Sequence, residues 1–443
     1  MSINKAWVTG LIVAGCLTGM RARAQKASDT LPEVATVDAC VQFALKHYPL
    51  VQQAMLDEQI TERQIRSKLA DWYPQLGLNA YYQNNFQLPA LLFKGAIVYS
   101  GTYNQSQVAL GLTQTLFNRD ALLASQTKRD VMTQIHQYTI GDKIDVAVNV
   151  SKAFYDVLLT EQDIKVLDDD IVRLERNLKD TYNQYQGGLV DKTDYKRAII
   201  SLNNSKAQRK TDEETLKAKY AALLQLMGYT GRDSLHLVYD SAAMEQEVAL
   251  DTNAVVDYGQ RIEYQELMTQ KRLQLADVKY ERWSYLPSVS AGAGYSLNYL
   301  NPEFSKLYSD NFPQSYAGLT VSVPIFQGTK RTQNIRIAEL QLERIDWDVI
   351  NLQNQINTQY TQALATYESN LNNYHVQRDN LGLAREVFNT IELQYRNGVK
   401  AYLDLITSET DLRTAEVNYS DALYQVLSSK LDVEKALGTI KFK

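Results

Sequence analysis

The eight prolines of this chain are confined to two short zones, which limits what the remainder can fold into. They lie within 32–89 and 287–324, so no proline falls between 90 and 286 or after 324. Because a proline inside a helix costs about 3 kcal/mol relative to alanine, such long gaps favour uninterrupted helix. The zones that contain proline are where the chain is expected to leave the helical state. The distribution therefore predicts two very long helical regions.

The second half of the chain repeats the first at an offset of about 210 residues, and such internal repeats reveal the repeating structural unit. The matching pairs are Tyr185 with Tyr395, Gly188 with Gly398, Asp194 with Asp404, and Gly228 with Gly438. Each half is predicted to run helix, two strands, long helix, tight glycine turn and helix. The turns place Gly187, Gly188 and Gly398 at hairpin tips spanning 186–190 and 396–400.

Four segments alternate apolar residues with small or polar ones, as expected for strands with one apolar face. They are 75–86, 105–117, 288–300 and 315–326. A soluble β-sandwich would show the same alternation. The segments are long enough to cross a bilayer at a tilt, and aromatic residues cluster at their ends as at a membrane interface. With the export signal described below, these features favour a membrane β-barrel.

Four strands cannot close a barrel by themselves. Small barrels need about eight strands, and open sheet edges are not tolerated in lipid. The chain must therefore oligomerise to complete the barrel. Three copies would supply twelve strands.

Both long helical regions carry a repeat of seven residues, which is typical of a left-handed coiled coil. The positions are Val150, Val157, Ile164, Ile171, Leu178 and Tyr185 in the first half, and Tyr360, Tyr367, Tyr374, Leu381, Phe388 and Tyr395 in the second. At 1.5 Å per residue each long helix would extend roughly 100 Å. The strand pairs then lie at one end of these rods and the glycine turns at the other.

Residues 1–24 have the pattern of a secretory signal peptide. Lys5 precedes an apolar stretch, and Ala22 and Ala24 form a small-residue cleavage site. A short membrane anchor is one alternative, and a lipoprotein signal that would acylate Cys16 is another, so Cys16 is a possible lipidation site. The repeats then divide the chain into 25–228, a connector at 229–252, and 253–443.

The composition excludes several functions. A net charge of -5 argues against an electrostatic nucleic-acid binder. Beyond the N-terminus no apolar run reaches the roughly 18 residues of a membrane helix, which excludes a polytopic helical transporter. No phosphate-binding loop, zinc-protease motif or nucleophile elbow is present, and the four histidines share no ligand spacing. We therefore predict no enzyme, no metal site and no cofactor, and interpret Asp168–Asp170 as a solvated helix face.

Several short motifs resemble those of the TolC-type outer membrane factor family, the outer membrane efflux proteins. They are the hairpin turns at 185–189 and 395–399, the helix-to-strand junctions at 72–74 and 285–287, and the strand-to-helix segment 323–331. The resemblance implies a mainly α fold with a membrane β-barrel part. Duplicated helix-strand-strand-helix-helix protomers would form a trimeric 12-stranded β-barrel on a long α-helical coiled-coil barrel.

The same resemblance implies a function, a location and partners. The protein is expected to be an outer membrane channel-tunnel that extends into the periplasm. It would be the passive exit duct of a tripartite efflux pump or a type I secretion system. Its partners would be two further copies of itself, a periplasmic adaptor protein, an inner membrane pump and outer membrane lipid. The alternative is a periplasmic coiled-coil adaptor or scaffold, which would usually have one helical hairpin rather than two equal ones.

The resemblance also places a gate at the hairpin tips. Tyr395 falls where the family has a tip tyrosine, Thr193 and Asp194 match its partners in the other hairpin, and Lys400 stands where well-known members have arginine. Asp404 matches an aspartate at the pore constriction, where three copies would form an acidic ring that selects cations. An alternative needs no gate, because acids in the first turn of a helix, such as Asp194 and Asp404, are favoured by the helix dipole.

Overall fold

The structure of the protein is a computed structural model that describes residues 31, 35–231, 235–238, 241–440 and 442. The first half contains α1 (Val37–His47), α2 (Pro49–Leu69), β1 (Gln75–Asn84), β2 (Ala90–Phe93), β3 (Ala96–Tyr99), β4 (Asn104–Phe117), α3 (Arg119–Gln186) and α4 (Lys192–Leu226). The second contains α5 (Ser241–Glu247), α6 (Ile262–Arg282), β5 (Ser288–Asn301), β6 (Phe312–Ser322), α7 (Lys330–Arg396) and α8 (Tyr402–Leu437). The expected signal peptide and Cys16 lie outside the described residues.

The protein is mainly helical with a smaller β part, as the sequence predicted. The two longest helices, α3 and α7, have 68 and 67 residues, so each extends about 100 Å. The helix α3 forms a hairpin with α4, α7 forms one with α8, and α3 packs on α8 to join the hairpins. None of the helices in the described part of the chain is long and apolar enough to cross a membrane.

The shorter helices meet end to end along the two long ones. The helix α2 packs on α3 and α6 packs on α7, each on the side of the strands. At the end of α4, a Cβ on Gly228 would lie 2.5 Å from the carbonyl oxygen of His47, so the chain before α2 is in direct contact. The end of α8 at Gly438 abuts Gln260, just before α6, in the same way. The duplicated sequence thus gives two matching helical layers.

The four long strands form one antiparallel sheet in the order β1-β4-β5-β6. The β4–β5 pair joins the two halves of the chain, and β1 and β6 are left as edges. Apolar side chains such as Leu78 and Leu319 remain exposed on these edge strands, at 68% and 70%. In the described chain the sheet is open on both sides.

Two features of the β part differ from the prediction. The segment 87–104, which lies between the first two predicted strands, contains a second small sheet in which β2 pairs with β3. The last strand runs from Phe312 to Ser322 rather than 315–326. It stops short of Pro324, which has no backbone N–H to continue the ladder, whereas Pro313 lies at the very start of β6.

The main core lies midway along the helical rods. It is built from α1, α3, α7 and α8 together with residues of the connector. The Tyr367 side chain is buried there and its hydroxyl donates a hydrogen bond of 2.8 Å to the carbonyl oxygen of Val248. A second cluster nearer the tips contains Leu381, Phe388 and Tyr402. Tyr367, Tyr374, Leu381 and Phe388 are all buried, so the heptad faces the neighbouring helices.

Candidate gate at the hairpin tips

Each hairpin turns through one glycine in the left-handed region. Gly188 has φ 72° and Gly398 has φ 74°, a conformation in which a side chain would be strained. The backbone N–H of the next residue, Leu189 or Val399, donates a 2.9 Å hydrogen bond to a carbonyl of the preceding helix. Gly187 has φ −80°, so the turn does not require glycine there. The two tips therefore share one geometry.

At the start of each helix that follows a tip, an acidic side chain accepts a hydrogen bond from a backbone N–H group. At α4, Asp191 Oδ1 accepts hydrogen bonds of 3.0 Å from both the backbone N–H and the hydroxyl of Thr193. These bonds, the backbone one first, lower the pKa of Asp191. At α8, Asp404 Oδ2 accepts a bond of 3.3 Å from the Ala401 N–H. Asp194 and Asp404 both lie in first turns, as the dipole interpretation requires.

Within one chain, Asp194, Tyr395 and Lys400 contact other partners than one another. The Tyr395 hydroxyl donates a 3.2 Å hydrogen bond to Gln184 Oε1 on α3 rather than to Asp194. The Asp194 carboxylate instead lies 3.7 Å from Arg197 Nη1, one turn further along α4. The Lys400 Nζ lies 3.9 Å from Asp404 Oδ2 on its own hairpin. The partners of Asp194 and Lys400 are thus i,i+3 and i,i+4 neighbours, whereas the partner of Tyr395 lies on the other hairpin.

Tyr395 is still the direct link between the two tips. Its hydroxyl crosses from α7 to α3, and its ring packs edge-on against Tyr402 at a centroid distance of 6.0 Å. Tyr402 is buried at the start of α8. The position of Tyr395 therefore couples the end of one hairpin to the beginning of the next helix.

The sequence analysis missed a set of buried charges behind the tips. Asp170, interpreted as solvated, is only 1% exposed, and it lies against Arg413 of α8. Glu409 of α8 is equally buried. A signal was available, since Asp163, Asp170 and Asn177 recur every seven residues, each one position before the apolar heptad of α3. Polar residues in that register point along the seam between the helices.

The chain belongs to the outer membrane efflux protein family. The family model with that description matches residues 40–229 and 265–439. The protein is accordingly an outer membrane efflux or secretion channel, located in the outer membrane and extending into the periplasm. The predicted family, function and location are confirmed, and the comparisons give the adaptor alternative no support.

Individual relatives are distant but cover most of this chain. The outer membrane protein TolC of Salmonella enteritidis is 22% identical over 441 residues, covering 93% of this chain and 83% of TolC. The proteases secretion protein PrtF of Dickeya chrysanthemi is 19% identical and covers 80% of each chain. Among solved structures, the CmeC outer membrane channel of Campylobacter jejuni superposes with a TM-score of 0.71 at 15% identity, over 92% of this chain and 86% of that one. The similarity to the CmeC channel shows that the two proteins share a fold.

Proposed function

We propose that three copies of this chain form the channel by joining their sheets edge to edge. The observation that carries the proposal is the four-stranded sheet with two free edges, β1 and β6. In lipid, each unpaired backbone group on such an edge costs several kcal/mol, so the edges must be paired. Pairing β6 of one copy with β1 of the next, three times, gives a closed barrel of twelve strands.

The helices below the barrel continue the duct. In a trimer, three copies of the two hairpins supply twelve helices around one axis. The tips of all six hairpins then lie at the end away from the barrel. Exposed apolar residues on the outer sides of the hairpins, such as Val172 on α3 and Leu383 on α7, provide surface for contacts between copies. The barrel and the helical tube share one passage, through which substrates pass without bond chemistry.

The duct works as part of a larger assembly. The relatives TolC and PrtF belong to the same family as this chain, and PrtF is named for protease secretion. We infer that a periplasmic adaptor and an inner membrane pump dock onto the helical part, and that the pump supplies the energy. The result is a tripartite efflux pump or a type I secretion system.

The hairpin tips form the gate of this duct. Thr193, Asp194, Tyr395 and Lys400 hold the tips together in the resting state, with Asp194 and Lys400 exchanging their local partners for contacts between copies. The Lys400 ammonium is a point charge, so its pairing is less geometrically defined than an arginine pair would be. Three copies of Asp404 close to the axis form an acidic constriction that favours cations.

The test is conductance across planar lipid bilayers. Asp194→Ala combined with Lys400→Ala should raise the resting conductance, because the contacts that close the tips are removed. A matched control is Lys210→Ala with Glu214→Ala, which removes one exposed ion pair of the same charge types from α4 away from the tip. Resting conductance unchanged by the tip variant would contradict the gate, and a protein that forms no channels would contradict the proposed function itself.

A further inference from the structure

A group of buried and half-buried polar side chains connects the two helical hairpins just behind the tips. This group, the inter-hairpin cluster, consists of Asp170, Arg173 and Asn177 on α3, Ser205 on α4, and Glu409 and Arg413 on α8. Glu409 lies five residues beyond Asp404, which places it about 8 Å further along α8. The cluster therefore lies between the expected constriction and the apolar core.

Three helices meet at the Asp170 carboxylate. Ser205 Oγ donates a 2.8 Å hydrogen bond to Asp170 Oδ2, and Arg413 Nη1 donates a 2.8 Å bond to Ser205 Oγ. The same Arg413 nitrogen lies 3.4 Å from Asp170 Oδ2. A movement of α8 away from α3 and α4 would break both contacts of Arg413.

The Glu409 carboxylate is less well satisfied. Asn177 Nδ2 donates a 3.0 Å hydrogen bond to Glu409 Oε2. Arg173 Nε lies 3.4 Å from Glu409 Oε1, and its guanidinium lies over the Phe388 ring of α7 at 5.7 Å. Glu409 Oε1 has no hydrogen-bond partner among the described residues although its side chain is buried. An ionised carboxylate in this position is costly, because one hydrogen bond and one ion pair at 3.4 Å replace only part of the hydration that burial removes.

We propose that the inter-hairpin cluster is a latch between the two hairpins, and that the proton on Glu409 decides how tightly the latch holds the tips closed. The proposal rests on the proposed function, since it concerns the gate of that channel. When Glu409 is protonated, Asp170 is the one anion left in the cluster, and Ser205 and Arg413 contact it. When Glu409 is ionised, two carboxylates are buried beside each other, and moving α8 outward into water restores the hydration of Glu409.

The side chains around Glu409 favour its protonated form in the described structure. Burial, and after it the charge of Asp170, raises the pKa of Glu409 from 4.5 to about 7, against the opposing effects of Arg173 and Asn177. Tyr402 on α8 also interacts with Glu409, Arg413 lies one turn further along α8 against Asp170, and the nearby Ser205 on α4 and Phe388 on α7 are uncharged. In this proposal the described conformation is the closed state, and an acid whose pKa is raised there binds its proton more tightly there than in the open state. Protons therefore favour closing, and raising the pH through about 7 favours opening.

The test is the pH dependence of channel opening in planar bilayers, at about pH 5.5 and about pH 8.5, on either side of that pKa. The unmodified protein should open at least about tenfold more often at the higher pH, since each pKa unit corresponds to a factor of ten. Glu409→Gln, which imitates the protonated acid, should remain at the low value at both pH values. Asp170→Asn should move the midpoint of the response to lower pH, because the charge that helps to raise the pKa of Glu409 is gone.

The matched control is Glu416→Gln, one heptad further along α8. Glu416 pairs with Arg385 on α7 at 3.4 Å, within its own hairpin, so this variant should keep the unmodified pH response. A Glu409→Gln channel that also keeps it would overturn the latch while leaving the channel intact. If the Glu409→Gln variant forms no channels, its melting temperature in detergent tests the latch instead. The melting temperature of Glu409→Gln should then depend less on pH than that of Glu416→Gln.

Discussion

Outside the inter-hairpin cluster, Asp163 on α3 is the described carboxylate that has a buried oxygen with too few partners. Its Oδ1 atom is buried without a hydrogen bond among the described residues. Burial first, and then the charges of Asp421 and Asp212, raise the pKa of Asp163 to about 7, with Lys219 acting in the opposite direction. Between its ordinary pKa of 3.8 and a pH of about 7, Asp163 therefore keeps a proton in the folded protein that it would release in the unfolded chain.

Asp163→Asn should stabilise the protein at alkaline pH. A raised pKa means that the contribution of Asp163 to stability is present below its ordinary pKa of 3.8 and is lost as the pH rises through about 7. The variant should gain about 1 to 2 kcal/mol near pH 8, after allowance for solvent screening, and little near pH 4. Melting temperature in detergent across this range measures the effect. The exposed Asp169→Asn should show no such pH dependence, and an equal response of both variants would contradict the assignment.

Glycine is required at the tips and at the helix junctions for different reasons. Gly398→Ala should cost about 1 to 2 kcal/mol, because it forces a side chain into positive φ but a Cβ would meet no described atom within 4 Å. Gly228→Ala adds a collision at 2.5 Å with the His47 carbonyl to the same strain. It should therefore lower the melting temperature further, by an amount that corresponds to more than about 2 kcal/mol. Equal losses of stability in the two variants would show that the junction between α4 and the chain before α2 is not tightly packed.

At the scale of elements, one buried arginine joins three helices. Arg261, immediately before α6, is only 5% exposed. Its Nη1 donates a 2.8 Å hydrogen bond to the Ala436 carbonyl near the end of α8, and its Nη2 donates to Gln359 of α7 at 3.1 Å. It also pairs with Glu263. The planar guanidinium thus satisfies a carbonyl that the helix end leaves without an internal partner.

Arg261→Lys should destabilise the protein by about 1 to 3 kcal/mol, because one ammonium cannot reach all three partners and leaves buried acceptors unsatisfied. The matched control is Arg282→Lys at the other end of α6, where Arg282 is exposed and contacts Glu339 at 2.9 Å. Its effect should stay within about 0.5 kcal/mol. Thermal melting of both variants in detergent separates the outcomes, and a lysine tolerated at 261 would show that the guanidinium geometry is not needed.

The elements that the sequence predicted best are those in which one periodicity runs for many residues. The heptad of α7 extends over dozens of residues, and the alternation of β5 extends over more than ten. A single residue that departs from such a long pattern does not change the predicted element. The β2–β3 hairpin was not predicted, since four-residue apolar runs fit a strand or a loop equally well. The partner of Tyr395 depends on what the other hairpin places opposite it, and a single sequence does not contain that alignment. The burial of Asp170 was indicated by its seven-residue spacing, but its partner Arg413 on α8 was not.

At the scale of the whole molecule, the described chain leaves several apolar and hydrogen-bonding surfaces open. Its sheet has unpaired edges at β1 and β6, and apolar residues such as Leu78 and Leu319 lie exposed on those strands. The helix α7 buries most of its heptad but keeps further apolar residues, such as Leu383, exposed. The proposed association of identical copies would cover both kinds of surface, since the copies carry matching edges and matching helices.

Native mass spectrometry of the detergent-extracted mature protein tests this central claim most directly. The account predicts a stable trimer, because three four-stranded sheets close one barrel and leave no edge in lipid. The chain should remain trimeric after mild dilution, since each copy contributes to a continuous hydrogen-bonded sheet. A stable monomer, above all one that stays in solution without detergent, would contradict the account.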